Sequence, residues 1–172
     1  MIKKIAITGP ESTGKTWLAE NLSQHFKAGL VEEYSRQYFQ NREYRYDISD
    51  LDKIADGQLK NEEKMVNQGN QILICDTDMM SIKIWSEVVF STTSDYVENL
   101  VNNHNYDLYL LCNLDVDWEQ DTLRKNYHNR QYIYNLFVNE LKKRSLKYFV
   151  VEGKGNKRYN NAVELINNNL QF

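Results

Sequence analysis

Gly9-Pro10-Glu11-Ser12-Thr13-Gly14-Lys15-Thr16 decides how the rest of the chain is read. The stretch fits glycine, four residues, then Gly-Lys-[Ser/Thr], in which successive backbone N–H groups surround phosphate oxygens at a helix N-terminus. Gly9 and Gly14 permit backbone angles and close approaches that a Cβ would forbid. Glu11, Ser12 and Thr13 supply the amides of the loop. Lys15 is expected to bring a mobile positive charge to the β- and γ-phosphates, and the Thr16 hydroxyl can ligate Mg²⁺. The flanks suit the motif. Lys3–Thr8 is a short, nearly continuous apolar run expected to be a strand, and Gly14–Phe26 carries Trp17, Leu18, Leu22 and Phe26 at helical spacing.

The same alternation continues to the C-terminus. Strands are expected at Ala28–Glu32, Gln71–Cys75, Asp107–Cys112 and Lys147–Val151, with polar helical or irregular chain through Arg45. Helices are expected at Asp50–Gln68, Met79–Phe90, Ser94–Asn103, Gln131–Lys143 and Arg158–Leu170. Short strands that are apolar on both faces need helices on both sides, so the expected fold is α/β: a P-loop NTPase with a five-stranded parallel sheet, doubly wound. Ligands of such sheets sit beyond the carboxyl ends of the strands, and that rule selects the segments that carry chemistry.

After the third strand comes Asp76-Thr77-Asp78. Asp76 stands where a carboxylate reaches the metal or its waters, and Asp78 suits the N-cap of the next helix or the substrate. After the second strand, Glu32-Glu33-Tyr34-Ser35-Arg36 groups carboxylate, ring and guanidinium within one turn. That set suits a small-molecule acceptor: Glu33 for a hydroxyl, Tyr34 to stack on a base, Arg36 for polar edges. The bland alternative is a solvated helix start with acidic residues favoured by the dipole.

Asp115–Arg130 follows the fourth strand and contains Trp118, Arg124, Lys125 and Arg130. A segment of this charge would cover the triphosphate as a lid, bringing Arg124 and Arg130 to the moving group and excluding water. A solvated charged loop is the alternative. Glu152-Gly153-Lys154-Gly155-Asn156-Lys157-Arg158 leads into the last helix. Its two glycines, Gly153 and Gly155, suit a backbone lying along adenine, and Arg158 belongs to the same nucleotide-binding set, though an ordinary turn reads as well.

With 172 residues the chain reads as one domain, 1–172; its 21 Lys+Arg against 24 Asp+Glu give a net charge of −3. That balance argues against nucleic acid and membrane surfaces as partners. No apolar run reaches the roughly 18 residues of a membrane span, so the expected location is the cytoplasm. Cys75 and Cys112 are expected to be buried free thiols. His25, His104 and His128 have no partner at catalytic or metal spacing and are expected at the surface.

Several segments together carry a family resemblance. They are Gly-Pro-Glu-Ser-Thr-Gly-Lys-Thr, Glu-Glu-Tyr-Ser-Arg, Ile-Ala-Asp-Gly-Gln (54–58), Leu-Ile-Cys-Asp-Thr-Asp, Ile-Trp-Ser-Glu (84–87), Tyr-Asp-Leu-Tyr-Leu-Leu (106–111) and Asp-Trp-Glu-Gln-Asp-Thr-Leu-Arg (117–124). In that order they resemble the ribosylnicotinamide kinase domain of NadR-type proteins over nearly the whole chain. The resemblance implies ATP- and Mg²⁺-dependent phosphorylation of the 5′-hydroxyl of nicotinamide riboside, giving nicotinamide mononucleotide and ADP. It implies Lys15 and Thr16 at phosphate and Mg²⁺, Glu33, Tyr34 and Arg36 in the acceptor pocket, Asp76 near the metal or as base, Arg124 and Arg130 in the lid, and Trp85 or Trp118 lining the nicotinamide site. Neither an adenylyltransferase domain nor a DNA-binding segment is expected, so the kinase would be coupled to a separate nicotinamide mononucleotide (NMN) adenylyltransferase. Many relatives carry a proline between the lid arginines, where this chain has Asn126-Tyr127-His128-Asn129. Another nucleoside or nucleotide kinase, or an ATP-binding regulatory module with no small acceptor, fits the phosphate loop equally.

Overall fold

The computed structural model describes residues 2–40, 45–117 and 129–170. Five strands form one parallel sheet: β1 (Lys3–Thr8), β2 (Gly29–Val31), β3 (Ile72–Asp76), β4 (Leu108–Cys112) and β5 (Tyr148–Val151), in the order β2-β3-β1-β4-β5. The register sets Ile7 beside Asp76 on one side and beside Leu110 on the other. Among the described residues seven helices connect and cover the strands: α1 (Lys15–Phe26), α2 (Tyr34–Phe39), α3 (Ile48–Asn67), α4 (Met79–Phe90), α5 (Asp95–Asn103), α6 (Arg130–Lys143) and α7 (Asn156–Asn169).

Strand residues alternate between two cores, as a sheet buried on both faces requires. Ile5, Ile7, Ile74, Leu108 and Leu110 pack with Leu18 and Leu22 of α1 and Ala162 and Ile166 of α7. Ala6, Leu73, Cys75, Tyr109 and Leu111 pack on the opposite face with residues of α2 to α6. Both cysteines are free and buried, and burial pushes both thiols up in pKa, Cys112 to about 11. Among the described residues no helix is long and apolar enough to cross a membrane.

Most expected elements stand within two residues of their predicted ends. The second strand is trimmed to Gly29–Val31, and the stretch after it forms α2. Helix α3 starts earlier than its apolar periodicity suggests because Asp47 caps it: Asp47 Oδ1 accepts the Ser49 N–H at 2.8 Å and Asp50 accepts the Asp47 N–H at 3.0 Å. Trp17 corrects the helical-face reading of α1. It is 40% exposed rather than in the core, because it falls at the mouth of the cleft beside the phosphate loop.

The order of the sheet places β1 between β3 and β4, so the chain winds away from β1 in both directions. The C-terminal end of β1 is therefore the switch point, where no crossover covers the strand ends. Residues 9–16 emerge there.

Candidate nucleotide and acceptor site

Gly9 leaves β1 at φ +130°, and a Cβ on it would come within 3.1 Å of the Cys112 carbonyl oxygen, so the loop can lie against the end of β4 only as glycine. Ser12 (φ 56°) and Gly14 (φ 74°) are also left-handed. Such interruptions turn successive amides toward one side of a loop and make an anion cradle. Thr13 Oγ1 closes the turn on the Pro10 carbonyl at 2.9 Å. Lys15 Nζ donates to the Gly9 and Pro10 carbonyls at 2.9 and 2.8 Å, folded along the loop it would leave for a phosphate.

Thr16 and Asp76 meet behind the loop. Thr16 Oγ1 donates to Asp76 Oδ2 at 2.7 Å, while Oδ1 is buried with no hydrogen-bond partner among the described residues. Asp76 is 2% exposed, and burial, followed by the charge of Glu33, lifts its carboxyl to about 6 against the pull of Thr16, Lys15 and Arg36. A hydroxyl, a carboxylate and an unsatisfied buried oxygen are hard donors of the kind Mg²⁺ takes. The residues present fit that ion.

Arg158 fixes the loop from behind. Its guanidinium is 1% exposed and donates to the Thr13, Gly153 and Asn113 carbonyls and to Asp115. It ties the phosphate loop, the end of β4 and the β5–α7 turn into one body. Arg130, the first residue of α6, reaches the loop from the other side, its Nη2 donating to Ser12 O at 3.0 Å and Val116 O at 3.2 Å. Arg124 and Trp118 lie outside the described residues, as does His128.

A cleft of about 430 Å³ opens from the loop. Residues 9–17 form one end. Glu33, Ser35 and Arg36 form a side wall, where Glu33 Oε1 accepts the Ser35 hydroxyl at 2.6 Å and Oε2 accepts Arg36 Nε at 3.1 Å. Ile54, Ile82, Ile84, Trp85, Val88, Ile133 and Phe137 give the cleft an apolar lining, with Gln58, Thr77 and Ser81 among them. Trp85 is held by a 2.9 Å bond from Nε1 to Tyr46 Oη and by edge contacts with Tyr46. On the other side of the loop lies a second cavity of about 350 Å³, bordered by Ser12, Gly14, Trp17, Val116, Lys154 and Gly155, with Arg158 at its base.

Tyr34 and Gly153 move from their expected places, while Asp78 takes the capping role, one of the two expected for it. Tyr34 does not line the cleft: its ring packs on α3, so close that a Cβ on Gly57 would stand 2.0 Å from it. Asp78 is fully buried as the N-cap of α4, accepting the Ser81 N–H at 2.7 Å, and burial pushes its carboxyl up. Gly153 faces the fold, with its N–H on Asp115 and its carbonyl on Arg158, and it is Gly155 that faces the second cavity. Lone residue types could not show these assignments, because each depends on which side of a turn faces solvent.

Gln58 and Ser81 also line the cleft, and residue type alone marks neither. Gln58 belongs to the 54–58 segment of the family resemblance, but a glutamine on an amphipathic helix reads as surface. His104 is half-buried and has a partner that sequence spacing does not show. Its Nε2 lies 2.8 Å from Glu62 Oε2, in a cluster where Tyr106 Oη donates to Glu62 Oε1 at 2.7 Å and Lys4 Nζ to Oε2 at 2.9 Å. Its partners come from other elements and lie far off in sequence. His25 sits at the surface, 2.6 Å from Tyr159 Oη.

Comparison with known proteins agrees with this geometry. The chain is 27% identical to the trifunctional NAD biosynthesis/regulator protein NadR of Escherichia coli K12 and 28% identical to that of Salmonella typhimurium, in each case over 96% of its own length. It spans 42% of those proteins, well under half of the relatives it matches. Among solved structures, it superposes on a NadR protein in complex with NR with a TM-score of 0.81 at 22% identity, covering 98% of this chain and 51% of that one. A thymidylate kinase from Ehrlichia chaffeensis gives a TM-score of 0.72 at 14% identity, covering 95% of this chain and 98% of that one. These likenesses bear out the parallel five-stranded P-loop fold and the NadR resemblance. Residues 4–158 match the family described as AAA domain, and on that match, with the phosphate loop it contains, the chain belongs to this P-loop family.

Proposed function

We propose that the chain is a nicotinamide riboside kinase, transferring the γ-phosphoryl group of ATP to the ribose 5′-hydroxyl to give nicotinamide mononucleotide and ADP. The observation that carries this reading is the single cleft in which the phosphate loop faces Glu33 and Arg36 and continues into an aromatic, apolar chamber large enough for a nucleoside. The NadR protein that superposes on the chain was solved with NR, the same nucleoside.

The residues divide the work. The loop amides and Lys15 hold the β- and γ-phosphates, and Arg130 brings guanidinium charge to the loop's edge at Ser12. Thr16 and Asp76 would hold Mg²⁺, which when bound neutralises phosphate charge. Asp76 lies behind Thr16 rather than on the cleft wall, so Glu33, braced by Ser35 and Arg36, is the carboxylate that meets the entering hydroxyl and takes its proton. Trp85 offers a ring to the base. The second cavity, between Trp17 and Gly155, takes the donor's base.

The test is ADP release by purified protein with ATP and Mg²⁺ against a panel of nucleosides. Nicotinamide riboside should stimulate release most. Stronger stimulation by a deoxynucleoside would change the acceptor, and no stimulation by any nucleoside would leave an ATP-binding regulatory module.

A further inference from the structure

The turn after β3 places a strained backbone angle on a residue poorly suited to it. Thr77 stands at φ +82° between Asp76, the last residue of β3, and Asp78, the N-cap of α4. Among the described residues it is the one β-branched side chain at positive φ; the other left-handed positions hold glycine, serine or lysine. Glycine would make the same turn freely, and a β-branched residue held there is an outlier of the kind that accompanies function.

The side chain opens on the cleft. Thr77 is 8% exposed and lines it. Among the described residues its Oγ1 has no hydrogen-bond partner, and it is not one of the fully enclosed polar atoms. The backbone N–H of Thr77 donates to Ile7 O at 3.2 Å, two residues before Gly9, whereas the pairing of β3 with β2 ends at Cys75 and Val31. Thr77 is thus bonded to the strand that feeds the phosphate loop. The strand order sets β3 between β1 and β2, so the same residue stands between that loop and the Glu33 wall.

A hydroxyl at this junction meets either the terminal phosphoryl group or the entering hydroxyl. The entering oxygen needs a lone pair for phosphorus, so a donor on it would oppose attack, and its proton goes to Glu33, which can keep it as a threonine cannot. A phosphoryl group has non-bridging oxygens and no hydrogen. It takes a donor without loss, and hydrogen bonds to such charged oxygens are the strong ones.

We propose that Thr77 Oγ1 donates a hydrogen bond to a non-bridging oxygen of the γ-phosphoryl group and is a further catalytic residue of the transfer. This inference rests on the phosphoryl-transfer part of the reading above and not on which nucleoside accepts.

Three variants of the full chain test it. Thr77→Val removes the hydroxyl and keeps the shape. By calorimetry with Mg²⁺, its affinity for a non-hydrolysable ATP analogue should fall about tenfold or more while its affinity for ADP stays within about twofold. Its kcat should fall about ten- to a hundredfold with KM for nicotinamide riboside unchanged. Thr77→Ser should restore analogue affinity and turnover. Thr77→Gly should repeat the losses of valine while raising Tm, since glycine adopts this backbone angle without strain. Equal losses for ADP and the analogue overturn the proposal, as does a raised nucleoside KM with analogue affinity intact. A Thr77→Gly protein of lower Tm with wild-type binding and turnover makes Thr77 a packing residue and overturns it too. The two nucleotide affinities need no acceptor, so failure to phosphorylate nicotinamide riboside removes that reading and still leaves Thr77 to be decided by them.

Discussion

The Thr16 hydroxyl donates to Asp76 Oδ2 at 2.7 Å, joining the first turn of α1 to the end of β3. The register that pairs Ile7 with Asp76 brings the carboxylate level with the start of the phosphate loop, although 60 positions separate the two bonded residues. Two hard donors thereby meet beside a phosphate cradle, and that meeting is a product of strand order.

Asp76 carries a pH prediction. Its folded pKa of about 6 lies above the ordinary 3.8, so between those values the folded state binds more protons than the unfolded state and stability falls as pH rises. The ionised carboxylate then opposes folding fully above about pH 6. Asp76→Asn should therefore stabilise the metal-free protein at pH 8 by on the order of 3 kcal/mol and by almost nothing below pH 4, as read by urea unfolding. The same variant should lose about a hundredfold or more in kcat. A variant less stable than wild type at pH 8 contradicts the assignment.

Lys15→Ala removes the charge now resting on the Gly9 and Pro10 carbonyls. Phosphoryl transfer should fall by at least about a thousandfold while Tm changes little, because the ammonium holds no other element. Near-normal turnover measured by coupled ADP release would exclude the loop from the chemistry.

Arg158 should behave in the opposite way. Its buried guanidinium unites three backbone segments and Asp115, so Arg158→Met should destabilise the fold by about 3–5 kcal/mol, leaving Asp115 and three carbonyls without their donor. ATP affinity should fall with it. Arg158→Lys should recover only part of either, since an ammonium cannot span the fork. Chemical unfolding and nucleotide calorimetry check both.

Glu62 sits under Lys4, His104 and Tyr106 at the opposite end of the sheet from the cleft. Burial alone would raise its pKa, but the His104 hydrogen bond and charge, with Lys4, outweigh burial and lower it. Its contribution is thus present above the ordinary glutamate range and lost as pH falls through the lowered value. Glu62→Gln should cost about 1–3 kcal/mol at pH 7, and the gap to wild type should narrow below pH 4. Activity per folded molecule should not change.

Gly57 faces the Tyr34 ring. Gly57→Ala would gain helix propensity, yet its Cβ would stand 2.0 Å from the ring, so a net loss of about 1–3 kcal/mol is expected in thermal unfolding. Adding Tyr34→Ala should reverse the effect of the alanine, making the pair strongly non-additive.

The sequence by itself determined the alternation of strand and helix, the phosphate loop and the carboxylate after β3. These rest on local chemistry: a strand apolar on both faces must be buried, and a glycine-bracketed lysine before a helix has one common use. Tertiary structure alone decided which side of each short turn faces the cleft. It turned Tyr34 onto Gly57, drew Arg158 beneath the loop, and gave His104 a buried carboxylate as partner. It also closed the Gln58 Oε1 on the Tyr34 N–H and left Nε2 buried with no hydrogen-bond partner among the described residues. Such outcomes follow from packing among residues distant in sequence, where one rotation of a helix or one step of a turn exchanges a ligand-facing group for a structural one.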